Sequence, residues 1–259
     1  MSLARTVKQA FERFGFQLSA NEQPIYADRP AAERAIAAVA GNTMLPRGRL
    51  VSLFDQSVFC ARQGIRGAFV ECGVWKGGGV GLMAAALLEE GEDERHLHLF
   101  DSFTDICAPD PEMDGARALQ EVSGREVRAG PNPTPLTGIY DRLGGHGTIA
   151  ACRALIEGRI GYPPERVHYH QGWFQDTLPE QAAAIGEIAL LRLDGDWYAS
   201  TKVCLEHLYD QVVPRGFVII DDYGTYEGCR KAVDEFLAAR GLAPFLCRVD
   251  GGCYFFVKP

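Results

Sequence analysis

Residues 67–101 read GAFVECGVWKGGGVGLMAAALLEEGEDERHLHLFD, and the reading of this stretch decides the fold. An apolar run, GAFVECGV, passes into a helical stretch, VGLMAAALLEEG, and then into a second apolar run, HLHLFD. Short apolar runs bounded by turn residues read as buried strands, and the longer apolar segment between them reads as a crossover helix. Strands joined by a crossover lie parallel, because the chain returns to the same end of the sheet before the next strand begins. Downstream the alternation continues through RVHYHQGW (166–173), IALLRLDGDW (188–197), STKVCLEHLYDQV (200–212), GFVIIDDYG (216–224) and GCRKAVDEFLAARG (228–241). The chain closes on PFLCRV and CYFFVKP joined by Asp250-Gly251-Gly252, a hairpin signal. The expected fold is therefore α/β: a doubly wound, mostly parallel sheet with helices on both faces and a C-terminal antiparallel hairpin.

Upstream, Leu3, Val7, Ala10, Phe11 and Phe14 recur at helical spacing and predict an N-terminal amphipathic helix. Residues 30–41 and 46–63 predict two more, the latter opened by Pro46. The expected organisation is a helical cap or lid over 1–64 and a ligand-binding core over 65–259. Within that core, residues 105–160 are rich in Pro and Gly and only locally periodic. An insertion of that length is expected to form a lid or binding surface over the carboxyl edge of the sheet.

Composition narrows the function classes. With 26 Lys+Arg against 34 Asp+Glu, the net charge of −8 and the lack of a basic run argue against nucleic acid as a partner. No window of 18 apolar residues suggests a membrane span, and the first 25 residues lack the apolar core of a signal peptide, so a cytoplasmic protein is expected. The eight cysteines are scattered without a CxxC, which points to buried reduced thiols rather than a zinc site.

Ligands of open α/β sheets bind beyond the carboxyl ends of the strands, so the residues found there carry the functional reading. The first strand ends in Glu71-x-Gly73-x-x-x-Gly77-Gly78-Gly79, a turn whose missing Cβ atoms suit close approach of a ligand or, equally, tight packing. No Gly-Lys-Ser/Thr follows, and Lys76 precedes its glycines, so this is not a phosphoryl-transfer loop. The second strand ends at Asp101, whose carboxylate suits the two hydroxyls of a ribose, with Ser102 beside it; a helix or turn cap is the alternative. Two later strands end in Asp194 and Asp196 and in Asp221 and Asp222. Neighbouring carboxylates repel unless a cation neutralises them, and an oxygen-only set suits Mg2+, although turn roles account for one or two of the four. His96, His98, His168 and His170 suit core or edge positions at least as well as catalysis; His146, in LGGHGT, is placed to reach a substrate, and His207 reads as structural.

FVECGVWKGG, LFDSF, GWFQDTLP, LLRLDGDWYASTKVCLEHLY, PRGFVIIDDYG and GCRKAVDEF, in that order over about residues 65–240, resemble the macrocin O-methyltransferase (TylF/MycF-type) family. The resemblance implies a class I methyltransferase fold, Rossmann-like, and an O-methyltransferase that uses S-adenosylmethionine and Mg2+ on a sugar hydroxyl of a natural product, as in antibiotic biosynthesis. It implies cofactor contacts at Glu71, Gly73, Gly77, Asp101 and Ser102, at Gly172, Trp173 and Phe174 near the adenine, and at Thr43 and Met44 near the methionine end. It places the metal on Asp194, Asp221 and Asp222, with Asp194 also as the catalytic base and Asp196 behind it. Two departures, Lys76 where the family usually carries Arg and a longer segment at 105–160, put acceptor choice in the insertion. The expected partner is a small hydroxylated acceptor, glycosylated, bound by a homodimer. A catechol-type methyltransferase acting on an aromatic diol and a non-catalytic cofactor-binding protein are the competing readings. A nicotinamide dehydrogenase is disfavoured by the lack of Gly-x-Gly-x-x-Gly and of Tyr-x-x-x-Lys.

Overall fold

A computed structural model of the chain describes residues 30–125 and 134–259. The amphipathic helix expected around Leu3 to Phe14 lies outside the described residues. The chain enters through α1 (Pro30–Val39) and α2 (Arg47–Arg62), and Pro46 lies immediately before α2 as anticipated. There follow β1 (Ala68–Cys72), α3 (Gly78–Glu89), β2 (Leu97–Asp101), α4 (Gly115–Glu121), α5 (Ile149–Arg153), β3 (Val167–Gln171) and α6 (Phe174–Gln181). The last part comprises β4 (Ile188–Leu193), α7 (Tyr198–Leu208), β5 (Val212–Ile220), α8 (Glu227–Ala239), β6 (Cys247–Arg248) and β7 (Tyr254–Val257). The seven strands form one sheet in the order β3-β2-β1-β4-β5-β7-β6. The first five run parallel, whereas β7 pairs antiparallel with both β5 and β6. The turn of the closing hairpin is held by Asp250, whose carboxylate accepts from the N–H groups of Gly252 and Cys253 at 2.8 Å each.

Helices cover both faces, as the alternation requires. Leu53, Phe54, Leu82 and Leu87 from α2 and α3 pack on Phe69, Leu99 and Leu190 of one face, and Leu205, Leu208 and Val233 from α7 and α8 pack on Val70, Leu191 and Val218 of the other. Ala32, Ala35 and Val39 of α1 join the first of these cores. Over residues 30–64, α1 and α2 pack as a helical layer on this core.

The expected insertion is also shorter than its composition suggests. Thr148 caps α5 by accepting from the Ala151 N–H at 3.1 Å, and α5 runs on as a π-helical turn over Ala154–Ile160. Leu155 and Ile156 bury their side chains against α3. This is the crossover helix between β2 and β3, disguised in the sequence by Gly158 and by its broken period, so the part free to cover the sheet edge ends near residue 148.

Two cross-strand features have energetic consequences. Glu71 and Arg192 are register partners on β1 and β4, 1% and 2% exposed, and they form an ion pair. Arg192 also meets Asp194 at 2.9 Å and Asp221 at 2.7 Å. Across β2 and β3, His96, just before β2, pairs with His168 at 2.7 Å and His98 with His170 at 2.9 Å, their rings stacked. Burial lowers the His98 pKa to about 3 and also lowers those of His168 and His170.

Arg192→Met leaves three buried or half-buried carboxylates without their common counter-charge, and we expect it to lower unfolding stability by about 3–5 kcal/mol in denaturant titration. Arg192→Lys should recover only part, since one ammonium lacks the planar fork that reaches several carboxylates. For the histidines, a depressed folded-state pKa means that the unfolded chain binds more protons. Stability is then full above about pH 6.5 and falls as the pH drops towards 3. The denaturant midpoint should decline on acidification from pH 7, and His98→Gln should flatten that decline; equal slopes in both proteins would contradict the assignment.

Candidate active site

The carboxyl ends of β1, β2, β3 and β4 open into a cavity of about 370 Å3. Gly73, Asp101, Ser102, Gly172, Trp173 and Phe174 all line it. Gly73 has φ of 90°, and any Cβ there would fall inside the carbonyl of Asp194, so glycine lets the ends of β1 and β4 close on each other. The Gly73 N–H donates to Phe100 at 2.9 Å, and Gly172 donates to Asp101 at 3.0 Å, which fixes the rim.

The Asp101 carboxylate is heavily engaged by its own chain. It accepts from the N–H groups of Val74 at 2.7 Å, Trp75 at 3.1 Å and Phe103 at 2.7 Å, with the Ser102 hydroxyl at 3.4 Å. Burial raises its pKa against the pull of these donors. The capping role weighed in the sequence and a place on the cavity wall are therefore both realised by one side chain. The Ser102 hydroxyl donates to Asp105 at 3.0 Å and accepts from Thr104 at 3.1 Å.

Glu71, Thr43 and Met44 meet in a smaller recess beside the cavity, together with Gly78, Gly79 and Asp194. Met44 and Asp194 face both spaces. The recess explains two glycines by packing: a Cβ on Gly78 would strike the Asn42–Thr43 backbone and side chain, and one on Gly79 would strike the Glu71 carboxylate. Gly77, with φ of 84°, starts α3 against Cys152 and lines neither space.

Asp194, which lines the cavity, and Asp221 and Asp222, which follow β5, place one carboxylate oxygen each within 4.8 Å of the others. Two arginines enter this cluster. Arg192 contacts Asp194 and Asp221, and Arg49 of α2 pairs with Asp221 and, at 2.7 Å, with Asp250 of the hairpin turn. Glu71, Asp194, Asp221 and Asp250 thus share two guanidinium groups, and Asp196 and Asp222 add two more carboxyls beside them. Burial raises Glu71 to a pKa of about 7 and Asp194 to about 6, and burial together with mutual repulsion holds Asp196 and Asp222 well above the ordinary range. Asp222 Oδ2 is buried without a hydrogen-bond partner among the described residues. An oxygen-only donor set with excess negative charge and an unpartnered carboxylate oxygen fits a hard divalent cation such as Mg2+.

Several residues at the site were not anticipated. Arg192 is legible as a lone charge inside an apolar strand, LLRLD, whereas Arg49 carries no local signal. Asp196, expected behind Asp194, instead lines the cavity from a left-handed backbone with φ of 59°. Trp75, Tyr140, Trp197 and Tyr226 add aromatic walls. His146 is exposed and is not among the lining residues, and the histidines of β2 and β3 also lie away from the cavity.

Comparison with known proteins agrees with this architecture. The macrocin-O-methyltransferase (TylF) family matches residues 4–128 and 158–258. The 8-demethyl-8-(2,3-dimethoxy-alpha-L-rhamnosyl)-tetracenomycin-C 4'-O-methyltransferase of Streptomyces olivaceus is 36% identical over 73% of this chain and 64% of its own length. The mycinamicin III 3''-O-methyltransferase of Micromonospora griseorubida is 30% identical over 81% of this chain and 75% of its own. The chain thus spans a little under two thirds of the first of these relatives and three quarters of the second. Among solved structures, the O-methyltransferase NovP superposes with a TM-score of 0.67 at 30% identity, covering 84% of this chain and 82% of that one. Calicheamicin methyltransferase CalS11, at 19% identity and a TM-score of 0.56 over 94% of this chain and 95% of its own, shares the fold. With its sheet order, acidic strand ends and glycine turn accounted for and most of its length matched, the chain belongs to the macrocin O-methyltransferase family.

Proposed function

We propose that this protein transfers the methyl group of S-adenosylmethionine to a hydroxyl on the sugar of a small natural product, with Mg2+ at the acidic cluster. The observation that carries the reading is the position of Asp194, which faces the cavity, the recess of Glu71 and Thr43, and the Asp221–Asp222 pair. In this reading Gly73, Asp101, Ser102 and the Gly172-Trp173-Phe174 rim hold the nucleoside, and Thr43, Met44 and Glu71 hold the methionine end. Gly77 acts indirectly, by starting α3. Asp194, Asp221 and Asp222 would hold the metal, which when bound lowers the pKa of a hydroxyl beside it.

Asp194 is the base in this scheme. Burial lifts it to about 6, high enough to accept a proton, while Arg192 keeps its carboxylate aimed at the cluster. S-adenosylmethionine, when bound, would supply an electrophilic methyl to the acceptor oxygen and leave as the neutral thioether, and Asp194 would take the proton that the acceptor loses. The protein's contribution is positioning and charge, since the cofactor supplies the electrophile. A sugar hydroxyl is favoured by relatives whose names specify a rhamnosyl or a 3'' position. The aromatic walls of Trp75, Tyr140, Trp173 and Trp197 support a second reading, a planar aromatic diol as acceptor.

Calorimetric titration of the EDTA-treated protein with S-adenosylmethionine, and then with Mg2+ in the presence of S-adenosylhomocysteine, tests the scheme. Both should bind. Asp222→Asn should weaken Mg2+ by about tenfold or more, as loss of a charged ligand does, and leave the cofactor affinity within about twofold. A protein that takes the cofactor but no metal would make the acidic cluster structural; one that takes neither would remove the methyltransferase reading. Methyl transfer to glycosylated products, compared with catechols, decides between the two acceptors.

A further inference from the structure

Residues 129–157 fall outside the family match, yet part of this stretch grips the turn that follows β1. Trp75 holds a left-handed backbone, φ 48°, which a bulky side chain rarely adopts unless its surroundings impose it. Those surroundings come from the loop before α5 and from α5 itself. The Trp75 indole N–H donates to the Gly145 carbonyl at 3.3 Å, and the Cys152 thiol donates to the Trp75 carbonyl at 3.7 Å. Gly147 lies so close to that carbonyl that no Cβ fits between them. The Lys76 ammonium donates to the carbonyls of Leu143 at 3.0 Å and Gly144 at 3.1 Å, and it sits 4.5 Å from the centre of the Trp75 ring. These two carbonyls lie at the end of the helical turn Asp141–Leu143, where unpaired oxygens attract a cation.

The loop so fastened carries Tyr140. Its ring lies 6.5 Å from that of Trp75, and both line the cavity. On its other side the turn is tied to Asp101, through the Trp75 N–H, and to Asn42, which donates to the Lys76 carbonyl at 3.2 Å.

We infer that Lys76 is a positioning residue: with Trp75 it latches the 138–147 loop to the glycine turn and so sets the Tyr140 wall of the acceptor side of the cavity. The use of that wall for an acceptor rests on the proposed methyltransferase reading, but the latch does not. A cation on a long stem can serve two adjacent carbonyls.

Amide hydrogen exchange tests the latch in the full chain, with and without S-adenosylhomocysteine, for the native protein, Lys76→Met and Lys76→Arg. The amides of Gly144 and Gly145, bonded within the loop to Asp141 and Tyr140, report on it. Lys76→Met should speed exchange in peptides spanning 138–147 by about tenfold, the loss of bonds to a charged donor at a partly exposed site, and leave β1 unchanged. Lys76→Arg should restore protection, and calorimetric S-adenosylhomocysteine affinity should stay within about twofold in both variants. Unchanged loop exchange in Lys76→Met overturns the proposal, and so does a loss of S-adenosylhomocysteine affinity without a change in the loop. Failure of the native protein to bind S-adenosylhomocysteine would refute the methyltransferase reading, and the exchange result would still decide the latch.

Discussion

The guanidinium of Arg192 sits where β1, β4 and β5 end, between Glu71, Asp194 and Asp221, and the candidate site depends on it. A parallel sheet brings the carboxyl ends of its strands to one edge, so acids placed there converge whether or not convergence is favourable. Burial removes the water that would screen them, and each unpaired charge then costs several kcal/mol. Arg192 lowers that cost from within the sheet, since its planar fork addresses neighbours on both adjacent strands. The pairing leaves the cluster short of positive charge, and that shortage is the physical basis for proposing a cation beside Asp222.

Arg49 extends the network outwards. From α2 it joins Asp221 to Asp250, and Asp250, held by that guanidinium and by two N–H groups, has its pKa lowered to about 2. A charged hairpin turn, an N-terminal helix and an acidic strand end are thereby one connected unit. The antiparallel β6–β7 pair, which from its sequence looks like a mere closure of the sheet, therefore helps to hold an acid of the cluster in place.

The cavity wall has a different origin. Asp114, after the first part of the insertion, accepts from the Tyr198 N–H that begins α7, and Gly228 at the start of α8 leaves it room. The loop before α5 is fastened on the opposite side by Trp75 and Lys76. Each end of this segment is thus tied to a core element, so a rigid scaffold positions the loops that wall the cavity.

The strands, the crossover helix α3, the closing hairpin and the acidic strand ends were all legible in the sequence, because apolar periodicity and strand length are local properties and parallel topology fixes which ends share an edge. The continuation of α5 was not, since a π-helical turn containing Gly158 breaks the period on which such reading rests. Partnership was also beyond reach. That Asp101 directs its carboxylate to Val74, Trp75 and Phe103, or that Arg49 reaches Asp221 across 172 positions, depends on distances that exist only after the layers pack. The sequence by itself determined which residues arrive at the sheet edge; the tertiary structure decided which of them hold each other and which face the cavity, because hydrogen bonds and ion pairs are chosen by proximity in space and not by spacing along the chain.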